Sequence, residues 1–453
     1  MKTTRISNRR AFLTAAVLSF ACLTAIAQDY RVLHNFAGGA SDGARAYGSL
    51  IQSGSTLYGM TFLGGSNSLG TVFRMNPDGT GFQLLHSFNS AGNDGQKPIG
   101  SLILSGSTLY GMTACEDTSY GGTVFQIQTD GSRFSVLRRF SGTDGKWPYG
   151  DLVQSGGMLY GLNTFGGSDT GSGWVGNGTV FQTDTNGTVL PLLHTFTGSP
   201  GDGGWPHGSL IQSGPILYGM TAIGGSNDNG TIFKINTNGT PYQILHTFTG
   251  GSNDGAGPGG TLLQSDAILY GMTGGGGNSG NGTIFEINTT NMSFRLLHSF
   301  SGGSNDGAGP VGALVQRDAI LYGMTGGGGS SGNGTIFEIN TTNMSFRLLH
   351  SFSGGDGSQP FGSLLLSGST LYGMTYAGGS HGQGVIFGLD LLPKLAIAPN
   401  DTNVNLSWST NYPGFVLESI DQLNGTWTSV PGVTGCSATL PVSADSQFFR
   451  LRK

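Results

Sequence analysis

The stretch that decides the fold is Thr56-Leu57-Tyr58-Gly59-Met60-Thr61, because its centre recurs seven times along the chain. Repeats 1 to 7 are defined by the tyrosines of these copies, which are Tyr58, Tyr110, Tyr160, Tyr218, Tyr270, Tyr322 and Tyr372. Successive tyrosines lie 52, 50, 58, 52, 52 and 50 residues apart, and only repeat 3 changes the motif, to Leu-Tyr-Gly-Leu. So regular a period indicates an array of equivalent structural units.

Each repeat contains four short runs of apolar, β-branched and aromatic residues. In repeat 1 these runs are Ser49–Gln52, Leu57–Thr61, Thr71–Met75 and Phe82–Phe88. They are separated by a Gly/Ser-rich loop and by the turns Ser53-Gly54 and Asp78-Gly79, which are typical punctuation between strands. Four strands in a unit of about 50 residues predict the blade of a β-propeller.

The two ends of the array predict how it closes. Tyr30–Phe36 matches a fourth strand with no first three before it, whereas repeat 7 lacks a fourth strand after Val385–Leu389. We therefore expect an all-β, seven-bladed β-propeller over residues 28–391, in which the N-terminal strand completes the last blade. Pairing the two ends also removes open sheet edges, which favour aggregation.

Residues 392–453 have a different texture and form a second predicted domain. Six short strands in about sixty residues indicate a small β-sandwich, shorter than the roughly 100 residues of an immunoglobulin domain. We expect Trp408 and Trp427 to fill its core. An attachment or sorting role is the expected use of this domain.

Composition supports an ordered fold and excludes one class of partner. Glycine makes up 83 of 453 residues, but seven glycines recur just before the first strands, where we expect close backbone approach around a central channel: Gly48, Gly100, Gly150, Gly208, Gly260, Gly312 and Gly362. Charged residues are 10% and the net charge is −5, with no cluster of Lys or Arg beyond the N-terminus. Nucleic-acid binding needs such a basic stripe. We expect a monomer without cofactor or metal.

Residues 1–27 have the pattern of an export signal. Arg9-Arg10 precedes the apolar run Ala11–Ala27, and Ala25-Ile26-Ala27 matches a small-x-small cleavage site. The paired arginines fit either a twin-arginine or a plain secretory signal, and both stay open. The mature chain has no predicted transmembrane segment, so we expect it in the periplasm, on the cell surface or outside the cell.

Two polar positions recur in the repeats. Asp precedes Gly at Asp42, Asp94, Asp144, Asp202, Asp254, Asp306 and Asp356, which is typical of turns; calcium binding is the open alternative. Histidine recurs in the fourth strand at His34, His86, His194, His246, His298 and His350, with Arg138 once. We expect these histidines to be structural hydrogen-bonding groups and not metal ligands.

The recurring Leu-Tyr-Gly-Met-Thr, Gly-Gly, Gly-Thr-Val/Ile-Phe and Leu-Leu-His-x-Phe segments together resemble the GloVer tandem repeat, over roughly residues 30–390. That repeat occurs in secreted bacterial proteins described as choice-of-anchor proteins. The resemblance implies export and surface association, and it implies a C-terminal anchoring or sorting module. It brings no established activity and no catalytic residues.

The variable loops gather aromatic residues around repeat 3. We predict a ligand platform of Trp147, Tyr149, Trp174, Trp205 and His207. Exposed aromatic rings can stack on sugar rings, so a polysaccharide or another cell-surface polymer is the expected ligand. The alternative is that Trp147 and Trp205 pack beside Pro148 and Pro206 against the sheets.

Acidic residues near the same loops support a second function class. Asp151 replaces the small residue that starts the first strand elsewhere, and Glu116, Asp117 and Asp169 lie in neighbouring loops. Two such carboxylates could serve a glycoside hydrolase or polysaccharide lyase. Residues 250–300 and 302–352 differ at only five positions, and such a duplication suits a binding or purely structural scaffold better than an asymmetric catalytic centre.

Overall fold

A computed structural model describes residues 30–89, 94–114, 121–167, 175–392, 395–400, 403–408, 415–420, 426–431, 433, 435–441 and 448–452. Across these ranges the regular secondary structure consists of strands alone, so the fold is all-β. None of the described segments forms a helix that is long and apolar enough to cross a membrane. The predicted export signal, residues 1–27, lies outside the described residues.

Seven antiparallel sheets, one for each repeat, make up the larger part of the described chain. The sheets of repeats 1 and 2 contain Ile51–Ser53, Thr56–Thr61, Thr71–Met75 and Gln83–Ser87, then Ile103–Ser105, Thr108–Thr113, Thr123–Gln128 and Ser135–Arg139. The sheets of repeats 3 and 4 contain Lys146–Pro148, Val153–Ser155, Met158–Phe165, Thr179–Asp184 and His194–Thr195, then Ile211–Ser213, Ile216–Thr221, Thr231–Asn236 and Tyr242–Thr247.

The sheets of repeats 5 and 6 contain Leu263–Ser265, Ile268–Thr273, Thr283–Asn288 and Phe294–Ser299, then Gly307–Pro310, Val315–Arg317, Ile320–Gly328, Thr335–Asn340 and Phe346–Ser351. The sheet of repeat 7 contains Leu365–Ser367, Thr370–Met374, Val385–Asp390 and the N-terminal Tyr30–Asn35. Three two-stranded sheets pair Gly43–Ala44 with Leu63–Gly64, Gly203–Gly204 with Ile223–Gly224, and Gly255–Ala256 with Gly275–Gly276.

The repeated motif packs the sheets against one another. Leu57 and Met60 are fully or almost fully buried, because each sheet is covered by a neighbour on both faces. Gly59 faces the ring of Phe73, and a Cβ at this position would overlap that ring. The same glycine–phenylalanine contact occurs in every repeat, which explains why the motif requires glycine between tyrosine and methionine.

The predicted pairing of the two ends is the one observed. Tyr30–Asn35 pairs antiparallel with Val385–Asp390, with Tyr30 opposite Leu389 and Asn35 opposite Val385. Side chains of repeat 7 and repeat 1, among them Ile386 and Leu57, share one apolar cluster. The first and last repeats are therefore neighbours in the structure.

The seven glycines before the first strands form a ring of close contacts. A Cβ on Gly48 would overlap the carbonyl oxygen of Gly100, and the same relation holds from each glycine to that of the next repeat. It also holds from Gly362 back to Gly48. The first strands approach too closely for any side chain at these positions, as the sequence predicted.

The C-terminal strands form two three-stranded sheets, Ala396–Asn400, Asn403–Ser407 and Ser437–Pro441 in one, and Thr428–Ser429, Val416–Ile420 and Phe448–Arg452 in the other. Trp408 joins a buried cluster that takes side chains from both sheets, as expected. Trp427 does not join that cluster, because the guanidinium of Arg450 covers its ring at 4.4 Å on a face that also carries Glu418.

Candidate binding site at the channel mouth

One backbone position is left-handed in all seven repeats. It is occupied by Arg45, Lys97, Trp147, Trp205, Gly257, Gly309 and Gln359, whose φ angles are 58°, 59°, 55°, 52°, 57°, 57° and 54°. We call these seven residues the rim. Positive φ is uncommon for residues other than glycine and is a genuine outlier for bulky ones. Five of the seven rim residues nevertheless carry a side chain.

Backbone hydrogen bonds hold the rim in place whatever its side chains are. The N–H of Trp205 donates to the carbonyl of Asn177 at 2.9 Å. Asn177 lies in the loop between the strands Met158–Phe165 and Thr179–Asp184 of repeat 3. The carbonyl of Trp205 accepts from the N–H of Ala222 at 3.1 Å. The residue after each rim position is buried, and it is Ala46 in repeat 1 and proline in the others. The rim is thus a rigid position at which the side chain can vary.

The two rim tryptophans, each followed by a buried proline, differ in exposure. Trp205 is 37% exposed. Its ring contacts that of Phe165 edge to face, with the ring centroids 5.7 Å apart. Its indole N–H donates to the carbonyl of Gly176 at 3.3 Å. Trp147 is half-buried. The contacts with Phe165 and Gly176 therefore leave more than a third of Trp205 exposed to solvent.

Two cationic rim residues were not among the predicted site residues. Arg45 donates from Nη1 to the Tyr376 hydroxyl at 3.0 Å, and its guanidinium lies 5.0 Å from that ring centroid. Lys97 Nζ lies 5.6 Å from the ring centroid of Phe62. Both aromatic partners follow the second strand of the preceding repeat. Aligning the repeats on the glycine of the first strand would have placed these cations beside the tryptophans.

Two residues after the rim, a second ring of side chains surrounds the channel opening. We call it the mouth; it consists of Tyr47, Ile99, Tyr149, His207, Gly259, Val311 and Phe361. The rings of Tyr149 and His207 stack with centroids 5.0 Å apart, and those of Tyr47 and Phe361 stack at 5.3 Å. Burial raises the pKa of Tyr149 and lowers that of His207, so both groups are neutral near pH 7.

Below the mouth, hydroxyl groups link neighbouring first strands. The N–H of Ser49 donates to Ser101 Oγ at 2.8 Å, and that of Ser363 donates to Ser49 Oγ at 2.7 Å. Asp151 holds the same structural position, because its Oδ1 accepts from the N–H of Ser101 at 2.5 Å and its N–H donates to Ser209 Oγ. Burial raises the pKa of Asp151 and outweighs these hydrogen bonds.

The channel itself encloses a cavity of about 60 Å³, lined by the mouth residues, the seven glycines and the hydroxyl groups below them. Pockets for small organic ligands are usually about 300–1,000 Å³. The cavity therefore suits a few water molecules. Any larger ligand has to contact the rim and mouth from outside.

The structure brings part of the predicted site together. Tyr149, His207 and Asp151 line the mouth and channel, and Trp147 and Trp205 lie on the adjoining rim. Trp174, Glu116, Asp117 and Asp169 lie outside the described residues. Asp151 is accordingly the one member of the predicted carboxylate set whose surroundings the structure describes.

The recurring histidines and aspartates form pairs at the outer edge of the sheets. His86 Nε2 lies 2.7 Å from Asp94 Oδ2, and equivalent pairs occur in five other repeats. Arg138 pairs with Asp144 at 3.0 Å in the remaining one. Within the described residues no group of three or more His, Cys, Asp and Glu side chains could hold a metal ion. The constant spacing of eight residues in most pairs is a sequence signal for this contact.

The family comparison confirms the resemblance drawn from the repeats. A family model described as the Gloeobacter/Verrucomicrobia repeat matches residues 20–175 and 169–387. These two matches together span most of the chain. Among curated proteins, none matches the sequence.

Solved structures are similar to the chain in fold at low sequence identity. An oligogalacturonate lyase in complex with manganese is 12% identical over 77% of this chain and 90% of its own, with a TM-score of 0.52. A puromycin hydrolase is 10% identical over 82% of this chain and 60% of its own, with a TM-score of 0.50. These likenesses show the fold alone, which is all-β and propeller-like.

Proposed function

Because the chain belongs to the Gloeobacter/Verrucomicrobia repeat family, we propose that it is an exported, non-catalytic protein that binds a polysaccharide or another cell-surface polymer. Its architecture in this proposal is a seven-bladed β-propeller over residues 28–391, closed by the N-terminal strand, with a small β-sandwich over residues 392–453. Residues 1–27 serve as the export signal, and the C-terminal domain attaches or sorts the protein.

Contacts between the first and last repeats support the closed architecture. The N–H of Ser363 donates to Ser49 Oγ, and Gly362 packs on Gly48 as every other glycine of the ring packs on its successor. Seven equivalent junctions leave no repeat without two neighbours. Closure removes the free sheet edges that a linear array exposes.

The observation that carries the binding proposal is the pair of rim tryptophans on adjacent repeats. Trp147 and Trp205 hold backbone conformations that bulky residues rarely adopt, and Trp205 presents more than a third of its surface to solvent. Unfavourable backbone conformations persist where the surroundings fix them, and they cluster at functional sites. Repeats 5 and 6 have glycine at the same position, so the fold does not require tryptophan there.

Flat indole faces suit the apolar faces of sugar rings, and the mouth adds the stacked pair Tyr149 and His207 next to them. A polymer lying across the rim could contact both tryptophans. The cavity inside the channel contributes little, since about 60 Å³ is too small for a sugar residue.

The experiment is a binding survey with the full chain and a double variant, Trp147→Gly with Trp205→Gly. Glycine is the residue that this position carries in repeats 5 and 6, and it suits a positive φ. We expect the double variant to melt like the unmodified protein and to bind polysaccharide at least about tenfold more weakly, a loss of about 1.4 kcal/mol. Trp427→Phe in the C-terminal domain is the matched control. If the double variant bound polysaccharide as tightly as the unmodified protein, the two tryptophans would not form the binding site.

A further inference from the structure

Resting on this proposed function, we further propose that the ligand is an anionic polysaccharide, whose carboxylate or sulfate groups meet Arg45 and Lys97 while its sugar rings meet Trp147 and Trp205. These four residues occupy the rim in consecutive repeats 1 to 4. A single polymer strand following the rim therefore meets two cations and then two indoles.

Both cations are held in position before any ligand arrives. Arg45 is fixed by its hydrogen bond to Tyr376 and by its place over that ring, and Lys97 lies over Phe62. A cation near an aromatic face is stabilised by the ring quadrupole. Because these side chains are already ordered, less conformational entropy is lost when an anion binds.

The rim and mouth have a positive charge that contrasts with the rest of the chain. None of their fourteen residues, all of which the structure describes, is acidic. Asp151 lies deeper, where it accepts a hydrogen bond from Ser101 within the channel wall. The whole chain carries a net charge of −5, whereas the rim carries the two cations Arg45 and Lys97 and no acidic side chain, and such a local excess of positive charge attracts anions.

The arc is one-sided. Repeats 5 and 6 have Gly257 and Gly309 on the rim and add no side chain there, while repeat 7 adds the exposed amide of Gln359. A ligand that matched the sevenfold repeat would need the same group in every repeat. An arc of four unlike side chains instead suits one linear strand that crosses part of the face.

The indoles distinguish a polysaccharide from other polyanions. An acidic polypeptide could satisfy Arg45 and Lys97, but it offers no succession of flat, partly apolar rings to Trp147 and Trp205. Carboxylated or sulfated sugars supply both features in each residue. Arginine and lysine also differ in their preferences, since the planar guanidinium favours bidentate contact with carboxylate or sulfate.

The test compares polygalacturonate and chondroitin sulfate with neutral dextran and xylan, and with poly-glutamate, by titration calorimetry on the full chain. The variant is Arg45→Gly with Lys97→Gly, which again installs the rim residue of repeats 5 and 6. The control is Arg317→Ser, which removes one positive charge at the end of the strand Val315–Arg317, away from the rim. Serine is the residue at the equivalent position of repeat 5, Ser265.

We expect the anionic polysaccharides to bind more tightly than the neutral ones, and the rim variant to lose at least about tenfold in affinity while the control loses none. Salt at about 1 M, with a screening length of about 3 Å, should weaken binding in the same way. Equal affinity for neutral and anionic polysaccharides, an unaffected rim variant, or tighter binding of poly-glutamate would each overturn this inference and leave the tryptophan site standing. Binding of no polysaccharide at all would overturn this inference and also remove polysaccharide as the ligand of the proposed function, leaving another cell-surface polymer in its place.

Discussion

The ring of Tyr30 lies parallel to that of His350, with centroids 3.9 Å apart and planes within 1°. Because His350 lies in the last strand of repeat 6, this contact joins the N-terminal strand to that repeat. Tyr30 occupies the position at which the fourth strands of most other repeats have phenylalanine. Five further histidines stack in the same way on an aromatic ring of the next repeat. The N-terminal strand thus takes the place of a missing internal element.

Replacing Tyr30 tests how much that strand contributes. Tyr30→Ala removes the stacking on His350, the edge contact with Phe352 and the hydrogen bond from the hydroxyl to the Asp356 carbonyl. We expect a loss of about 2–4 kcal/mol in the free energy of unfolding, measured by denaturant titration. Tyr30→Phe, which installs the residue of most other repeats, should lose only about 0.5–1.5 kcal/mol. Equal losses in both variants would mean that the ring contacts contribute nothing.

A second prediction concerns the one repeat without a histidine. Arg138 is buried, and its Nε has no hydrogen-bond partner among the described residues. The next repeat has Leu190 where the other repeats have Phe or Tyr, so no aromatic ring is present for a histidine to stack on.

We therefore expect Arg138→His and Leu190→Phe to destabilise the protein singly and to compensate each other together. The coupling free energy from a double-mutant cycle should be about 0.5–1.5 kcal/mol in favour of the pair, which is the usual range for an aromatic contact. Additive effects would show that the histidine and the aromatic residue are not linked.

Acid should destabilise the fold in two steps. Burial lowers the pKa of His86 and His350 more than their aspartate partners raise it, so the folded protein resists protonation there while the unfolded chain takes up protons at about pH 6.5. Stability contributed by these residues is present above that pH and decreases as the pH falls below it.

The second step involves the aspartates. Burial alone would raise the pKa of Asp202, but hydrogen bonds from His194, Tyr242 and Thr197 hold it at about 2. Its contribution is present above the unfolded value of about 3.9 and is lost as the pH falls towards 2. Melting temperatures recorded between pH 8 and pH 2 should fall in both windows. A rise in melting temperature as the pH falls from 8 to 6 would contradict the step assigned to His86 and His350.

The glycine ring gives a test of the channel. Gly208→Ala places a Cβ against the carbonyl group of Gly260, and these are backbone atoms that cannot rotate out of the way as a flexible side chain could. We expect at least about 1–3 kcal/mol of destabilisation by overpacking, read from chemical denaturation. Gly201→Ala, which has open space around its Cβ, should leave stability almost unchanged. Tolerance of alanine at Gly208 would show that the first strands do not meet as described.

Much of this arrangement is encoded in the regularity of the sequence. The near-constant spacing of the repeats predicted the strands, the glycine ring and the pairing of Tyr30–Asn35 with the last repeat, because each follows from placing equivalent segments in equivalent positions. The rim was harder to predict, since neither arginine nor tryptophan favours positive φ. The available signal was glycine before proline at the rim positions Gly257 and Gly309.

The prediction that Trp427 fills the core of the C-terminal domain was wrong, because the sequence does not show which strand face Arg450 covers.

The most direct test of the binding site is hydrogen–deuterium exchange of the full chain with and without its polysaccharide ligand. Exchange at backbone amides slows where bound polymer covers or stabilises them. We expect protection in residues 45–49, 97–101, 147–151 and 205–209, with little change at residues 257–261 and 309–313. Protection confined to repeats 5 and 6, or to turns such as Ser53-Gly54 on the opposite face, would contradict it.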